Sequence, residues 1–335
     1  TSYTQKNKFR VVIICCAVFC IVTTLASLCL GPVTISTQEL FAVLFEGDRE
    51  SSAANILLYV RVPRTIATLL AGIGLAVSGV IIQAVLANPL ASPNIVGVNS
   101  GAGFAVALCG LLFPAQPWIT PFFAFGGALF ACLLVYAIAQ KTGASRMTLI
   151  LTGIAIGSCL SAGIDAIVTF FPDVLGGSTS FRIGGVAGVS MNVLGTAACY
   201  ILLGFAAVLT LHNEMDILSM GDETAQSLGV SVKRTRFLLL LIAAAMAGAA
   251  VSFAGLIGFV GLIVPHACRF LVGSESGKLL PVSALGGAAF LTLCDLFARL
   301  IFAPYELPTG ILLSFLGGPF FIFLLLQQKR GRIHD

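Results

Sequence analysis

Apolar runs of about 20 residues, the length a helix needs to cross a bilayer core of roughly 30 Å, recur along this chain from Val11 to the region of Leu326. Such a chain has lipid, rather than water, as its main solvent. The composition agrees: of 335 residues, 58% are hydrophobic and 10% charged, against roughly 25% charged in an ordinary soluble domain. The expectation is an all-α, polytopic membrane protein with one transmembrane domain spanning 1–335.

Hydrophobicity and breakers lay out ten spans, at 11–30, 62–84, 94–113, 119–140, 147–171, 192–212, 236–257, 259–272, 279–302 and 307–326. The first follows Lys6, Lys8 and Arg10 in the manner of a secretory leader, but its length and the lack of a small-residue cleavage site make it a first span. An even count puts both termini on one side of the membrane, and the basic ends (Lys6, Lys8, Arg10; Lys329, Arg330, Arg332) make that side the cytoplasm. The net charge of +4 therefore reads as topology signals and lipid contact, with no nucleic acid implied. Arg49, Arg61, Arg64 and Arg182 fall outside in this layout and Arg299 falls within a span, while the other Lys and Arg lie inside. The short eighth span contains Pro265 and Arg269, which predicts a broken or partly re-entrant helix with its backbone buried in protein.

A shift of 176 residues aligns Ala71–Gly101 with Ala247–Gly277 without a gap, with identities at 11 of 31 positions, among them Gly72/Gly248, Gly79/Gly255 and Pro89/Pro265. Span two runs inward and span seven outward, so the halves, about 61–171 and 236–326, form an inverted repeat of the kind common in transporters. A pathway between the halves is implied. The 36 glycines permit close helix packing in lipid.

Residues 213–235 form the longest polar cytoplasmic connection. Within it, DETAQSLG at 222–229 has acidic residues in its first turn and glycine at its end, the pattern of a short helix. Exposed to cytosol, it suits docking to another protein; a solvated connector is the plain alternative. Ionisable groups within spans are expensive and are functional candidates. Asp295 and Arg299 stand four apart and predict a structural helical ion pair, whereas Asp165 has no sequence-local partner and is a candidate for the pathway. His266 lacks a second ligand at useful spacing and reads as packing. The ten cysteines form no C-x-x-C pair or Cys/His cluster and read as helix-packing residues, so no metal site or cofactor is expected. GSESGK at 273–278 has three residues between its glycines, and Leu279 stands where a phosphate-binding loop needs Ser or Thr. With no catalytic motif present, the chain is expected not to be an enzyme, and ATP hydrolysis would belong to a separate subunit.

Several segments carry a resemblance. MGDETAQSLGV (220–230), RVPRTIATLLAGIGLAVSGVIIQAVLANPLASPNIVGVNSGAG (61–103), GLIGFVGLIVPHACRFLVG (255–273) and ELPTGILLSFLGGPFFIFLLL (306–326) are similar, in order and over nearly the whole chain, to the cobalamin and iron-siderophore (FecCD-type) permeases of ABC importers. The resemblance implies the type II importer permease fold, ten spans per subunit, a second permease subunit, two cytoplasmic ATPases and an external substrate-binding protein in a bacterial inner membrane. It implies ATPase contact at Gly221, Asp222, Glu223, Thr224, Ala225 and Leu228. It also implies a cytoplasmic gate at Asn88, Pro89 and Leu90, and a second gate element near Arg146 and Met147, where relatives can carry small hydroxyl residues instead. A binding protein with acidic lobes would dock on Arg49, Arg61, Arg64 or Arg182, for which interfacial anchoring is the alternative.

The expected function is translocation of a ferric siderophore by alternating access. Cobalamin or haem is the alternative cargo within the same fold. An ion-gradient-driven secondary transporter would also suit inverted repeats; a membrane enzyme or scaffold would need a catalytic constellation or soluble domain that the sequence does not display.

Overall fold

The computed structural model describes residues 2–36, 38–39, 43, 49, 51–143 and 145–331, with the side chains of 2–6, 325 and 327–331 outside the description. Of the basic ends used to orient the chain, Lys6, Lys329, Arg330 and Arg332 thus lie outside the described side chains. The described residues are helical with no strand. In chain order the helices are α1 (Ser2–Cys29), α2 (Val62–Leu86), α3 (Val98–Leu112), α4 (Thr120–Lys141), α5 (Arg146–Phe170), α6 (Leu175–Ile183), α7 (Met191–Thr210), α8 (His212–Ser219), α9 (Asp222–Ser227), α10 (Val232–Ala254), α11 (Val260–Val272), α12 (Ser276–Leu300) and α13 (Thr309–Gly331).

Ten of these are apolar and match the ten expected spans one for one. Seven are long enough to cross a membrane by themselves; α3, α11 and the described apolar part of α13 are shorter. Ser52–Asn55 and a π-helical turn, Ile56–Arg61, extend α2 backwards without a break. Burial is uneven. α2, α10 and α12 are buried over most of their apolar length, whereas α1, α5 and α7 leave large side chains such as Ile14, Leu151 and Leu203 uncovered. In lipid an uncovered leucine costs nothing, so the central trio is set by close packing rather than by exclusion of water.

That packing depends on glycine. A Cβ on Gly72 would overlap the carbonyl of Gly287, and one on Gly287 would overlap the carbonyl of Gly72, so α2 and α12 cross with backbones in contact. The crossing has a counterpart across the repeat. α10 packs on α4 as α2 packs on α12, and α2 and α10 pack on each other between them. Gly248, the repeat mate of Gly72, faces Ala128 of α4, 3.0 Å from where its own Cβ would stand.

Beyond this crossing the ungapped register fails. α10 ends at Ala254, with Gly255 at φ 67°, whereas α2 continues to Leu86 through the matched Gly79. Pro89 therefore sits in the turn after α2, while Pro265 lies inside α11. The two prolines are thus not structurally equivalent: 87–97 connect α2 to α3, whereas only 255–259 connect α10 to α11.

Pro265 neither breaks α11 nor leaves it bare. A proline cannot donate to the carbonyl four residues earlier, here Gly261, and that oxygen instead accepts from Nε2 of Gln83 on α2 at 3.1 Å. The same Nε2 donates to the carbonyl of Ala91 at 3.2 Å. One buried amide thus joins α2, the turn that follows it and α11. The short eighth span is a continuous helix of 13 residues whose freed carbonyl is satisfied by protein.

Candidate functional site

The polar connection between α7 and α10 folds as two short helices, α8 and α9. Gly221, at φ 123°, holds a conformation that side chains disfavour and starts α9 abruptly after α8. The other end is a Schellman motif: Gly229 (φ 82°) donates to Gln226 O at 3.0 Å and Val230 donates to Ala225 O at 2.9 Å. Met215, Leu218 and Ala225 are fully buried and fix the pair of helices on the body. Glu223, Thr224 and Leu228 face outward, and with Met220 they form a small mixed apolar and acidic surface.

The expected contact residues therefore divide. Glu223, Thr224 and Leu228 are displayed, and Gly221 shapes the turn. The Ala225 side chain is fully buried and has no surface to offer a partner. Asp222 is turned inward and clasps two arginines: Arg236 Nη2, on the first turn of α10, donates to both of its carboxylate oxygens at 2.8 Å, and Arg146 Nη2, at the start of α5, lies 3.1 Å from Oδ1. Arg146 Nη2 also donates to Leu218 O of α8 at 2.7 Å. The clasp joins α9 to α5 and α10 through one carboxylate that is 35% exposed. Arg236 escaped the sequence reading, since nothing in a 14-residue separation across a turn signals a pair.

Asn88, Pro89 and Leu90 occupy the turn at the same end. Ala87 closes α2 in the left-handed region (φ 43°), and Asn88 Oδ1 accepts from the Leu90 N–H at 2.9 Å, a self-supporting Asx turn. The following 3-10 turn, Pro93–Val96, rests against α5, where the Ile95 carbonyl occupies the space a Cβ on Gly153 would need. The turn and α5 therefore touch. α5 is capped by Ser145, whose Oγ accepts from the Thr148 N–H at 3.0 Å. Beyond that cap Met147 projects freely, 66% exposed, while Arg146 folds back into the clasp.

At the far end of the bundle the outlying arginines are mostly consumed. Arg61 donates to the carbonyls of Leu28 (2.8 Å), Cys29 (2.6 Å) and Val33, at and beyond the C-terminus of α1, where a cation is favoured by the helix dipole. Arg64 pairs with Asp295 through Nε (3.0 Å) and Nη2 (3.0 Å to Oδ1), and with Glu306 through Nη1 (2.6 Å). Asp295 also faces Arg299 Nε at 3.1 Å and accepts from Thr309 Oγ1 at 2.8 Å. Arg299 Nη2 in turn donates to Ser27 Oγ, which lies 2.8 Å from Thr65 Oγ1.

This network ties α1, α2, α12 and α13 together. Arg61 and Arg64 are accordingly removed from the docking set, because they are 3% and 6% exposed and point into the bundle. Arg49 and Arg182 are exposed. Asp165 and Arg182 come together at 3.5 Å, with both side chains more than half exposed, which gives Asp165 the partner that its own span lacks. A cavity of about 600 Å³ opens beside this network, lined in part by Arg64, Ser178, Phe181, Phe253, Glu306 and Thr309.

His266 is packed edge-on against Phe270 and Phe320. Cys109, Cys132, Cys268 and Cys294 are buried between helices, but Cys15, Cys29, Cys159 and Cys199 are exposed and do not serve as packing residues within the chain.

Comparison with known proteins places this geometry. The model of the FecCD transport family matches residues 19–327. The Fe(3+)-citrate import system permease protein YfmE of Bacillus subtilis is 38% identical over 98% of both chains. The hemin transport system permease protein HmuU of Yersinia pestis is 34% identical, covering 93% of this chain and 94% of its own. A solved structure described as an inward-facing conformation of a metal-chelate type ABC transporter superposes with a TM-score of 0.82 at 29% identity, covering 94% of this chain and 98% of that one. With a family model matched over nearly its entire length and relatives this similar end to end, the chain belongs to the FecCD transport family.

Proposed function

We propose that this chain is the permease subunit of an ATP-driven importer that carries a ferric chelate, a ferric siderophore or ferric citrate, across the bacterial inner membrane by alternating access. The observation that carries the reading is the end-to-end similarity to an Fe(3+)-citrate permease, together with a short helix, α9, that displays Glu223 and Leu228 beside the exposed Met220, at the end where the α2 turn meets α5. Membership of the FecCD transport family supports an ATP-driven system over the gradient-driven alternative, with ATP hydrolysed by separate subunits. The partners are two cytoplasmic ATPases seated on α9, a second permease subunit and an extracytoplasmic binding protein. Both termini lie in the cytoplasm.

In this mechanism the loaded binding protein docks outside, and ATP binding by the partner subunits pushes on α9. The Asp222 clasp transmits that displacement to α5 and α10, next to the Asn88–Leu90 turn and Met147. Haem is the second cargo reading, favoured by the similarity to a hemin permease. The test is uptake of 55Fe-citrate, a 55Fe-hydroxamate siderophore and haem in cells whose only such system is this permease with its partner subunits. Iron uptake should be saturable, lost on ATP depletion and lost with Glu223→Arg/Leu228→Arg at unchanged membrane abundance. Uptake of haem without either iron chelate would transfer the cargo to haem, and uptake indifferent to ATP would sink the importer mechanism.

A further inference from the structure

We propose that the cleft between α1, the last turn of α11 and the first turn of α12 is a binding site for the headgroup of an anionic phospholipid. The cleft has a volume of about 450 Å³ and is walled by Phe9, Arg269, Phe270 and Leu271, with Lys8 and Lys278 at its rim. Three cations meet one nearby carboxylate on the lining, that of Glu275, which is already paired with Lys278. Asp216 of α8, which packs on α12, is engaged with the Ser276 N–H at 2.9 Å.

Arg269 is the decisive residue. It has no ion pair or hydrogen bond among the described residues, and its Nη1 is shut away from solvent with no acceptor. A guanidinium with no acceptor in the chain is costly, and the part of this half-buried side chain that lines the cleft is open to an acceptor from outside.

The surroundings identify that acceptor's source. Phe270 is 69% and Leu271 45% exposed beside the cations, and the adjoining face of α1 leaves Val11, Ile14 and Val18 uncovered. Cations stand at the level where apolar helix gives way to polar chain, above a face that only acyl chains would cover. A phosphodiester on two hydrocarbon tails satisfies both halves of that surface, and basic clefts between spanning helices are where such headgroups bind. Free phosphate would satisfy only the upper half.

The full-length chain, purified and delipidated in a neutral detergent, would be exposed to dioleoylphosphatidylglycerol or dioleoylphosphatidylcholine, and bound lipid counted by native mass spectrometry. The wild type should retain the anionic lipid preferentially. Arg269→Gln should reduce that retention by about fivefold to tenfold, as loss of one headgroup cation implies, with partial recovery in Arg269→Lys. Lys8→Gln alters an exposed side chain and gives the same test where Arg269 variants fail to fold. Equal retention of the two lipids by the wild type, or unchanged retention in both Gln variants, overturns the proposal. Displacement of the lipid by inorganic phosphate alone overturns the assignment to lipid. These outcomes are independent of cargo, which this measurement does not involve.

Discussion

Asp222 accepts two hydrogen bonds of 2.8 Å from Nη2 of Arg236, so the first residue of the exposed helix α9 is fastened to the first turn of a central helix, α10. With Arg146 at 3.1 Å, the single carboxylate is shared between two arginines. Arg236 is 1% exposed, which leaves it without solvent to fall back on if the carboxylate is lost. Asp222→Asn should therefore destabilise by about 1–3 kcal/mol, between a surface pair and a buried one because the carboxylate is itself partly wet. It should also leave ATPase turnover no longer stimulated by the loaded binding protein. Glu223→Ala and Leu228→Ala should behave oppositely, leaving thermal stability in detergent unchanged while weakening association with the ATPase. A variant of Asp222 with normal stimulation would show that the clasp transmits nothing.

The network at the opposite end makes a sharper stability prediction. Asp295 is fully buried against Arg64 and Arg299, and removing the carboxylate leaves two buried guanidinium groups with reduced compensation. Asp295→Ala should cost about 3–5 kcal/mol, read as loss of monodisperse protein on gel filtration or a large fall in melting temperature. Glu306 is 37% exposed on its side chain, and Glu306→Gln should cost about 1 kcal/mol or less.

Much of this organisation is written locally in the sequence. The ten apolar helices follow from run length, α9 from acidic residues bracketed by Gly221 and Gly229, and the Asp295–Arg299 pair from a four-residue spacing. What depends on contacts distant in sequence is not so written. The positive-inside trend marked Arg61 and Arg64 as outliers to the cytoplasmic bias, but it reports depth and not direction. Only the fold brings Arg64 to Asp295, 231 residues away. Phe259 is a similar case, since it starts α11 in the left-handed region at φ 65°, a position a sequence reader would reserve for glycine. Its ring lies where a Cβ on Gly317 of α13 would fall, and that packing overrides the local preference.

Glycines in this chain are not interchangeable. Gly72→Ala would force α2 away from α12, because the new methyl group meets backbone that cannot rotate aside. Overpacking of this kind costs about 1–3 kcal/mol or more, and Gly287→Ala should show the same loss. Gly195 on α7 has open space around it, so Gly195→Ala should be neutral or stabilising by up to about 1 kcal/mol. Thermal denaturation of the three variants in one detergent provides the comparison, and equal behaviour would refute the close crossing.

Arg49 and Arg182 remain as the exposed cations of the proposed docking face. Arg49→Glu/Arg182→Glu should slow association of the loaded binding protein, most strongly at low salt, because rim charges act through encounter rate. The Asp165–Arg182 pair is more than half exposed on both sides, so its loss should change stability by no more than about 1 kcal/mol. Surface-plasmon kinetics on the reconstituted permease would decide, and an association rate unaffected by the double reversal at low salt would remove both residues from the interface.

Gln83 offers a test in which the fold predicts non-additivity. Gln83→Leu keeps the bulk of the side chain but withdraws the donor shared by the carbonyls of Gly261 and Ala91, and each buried oxygen left bare costs about 1–3 kcal/mol. Gly261 depends on Gln83 because Pro265 has no N–H to give it. In a Pro265→Ala background the helix supplies that bond itself, so Gln83→Leu should cost less there than in the wild type, by about the value of one carbonyl. The four-way cycle, measured as denaturation midpoints in a single detergent, should show coupling of about 1 kcal/mol or more. Additive costs would mean that the Gly261 carbonyl finds another donor when Gln83 is gone, and that α2 and α11 are held by glycine packing alone.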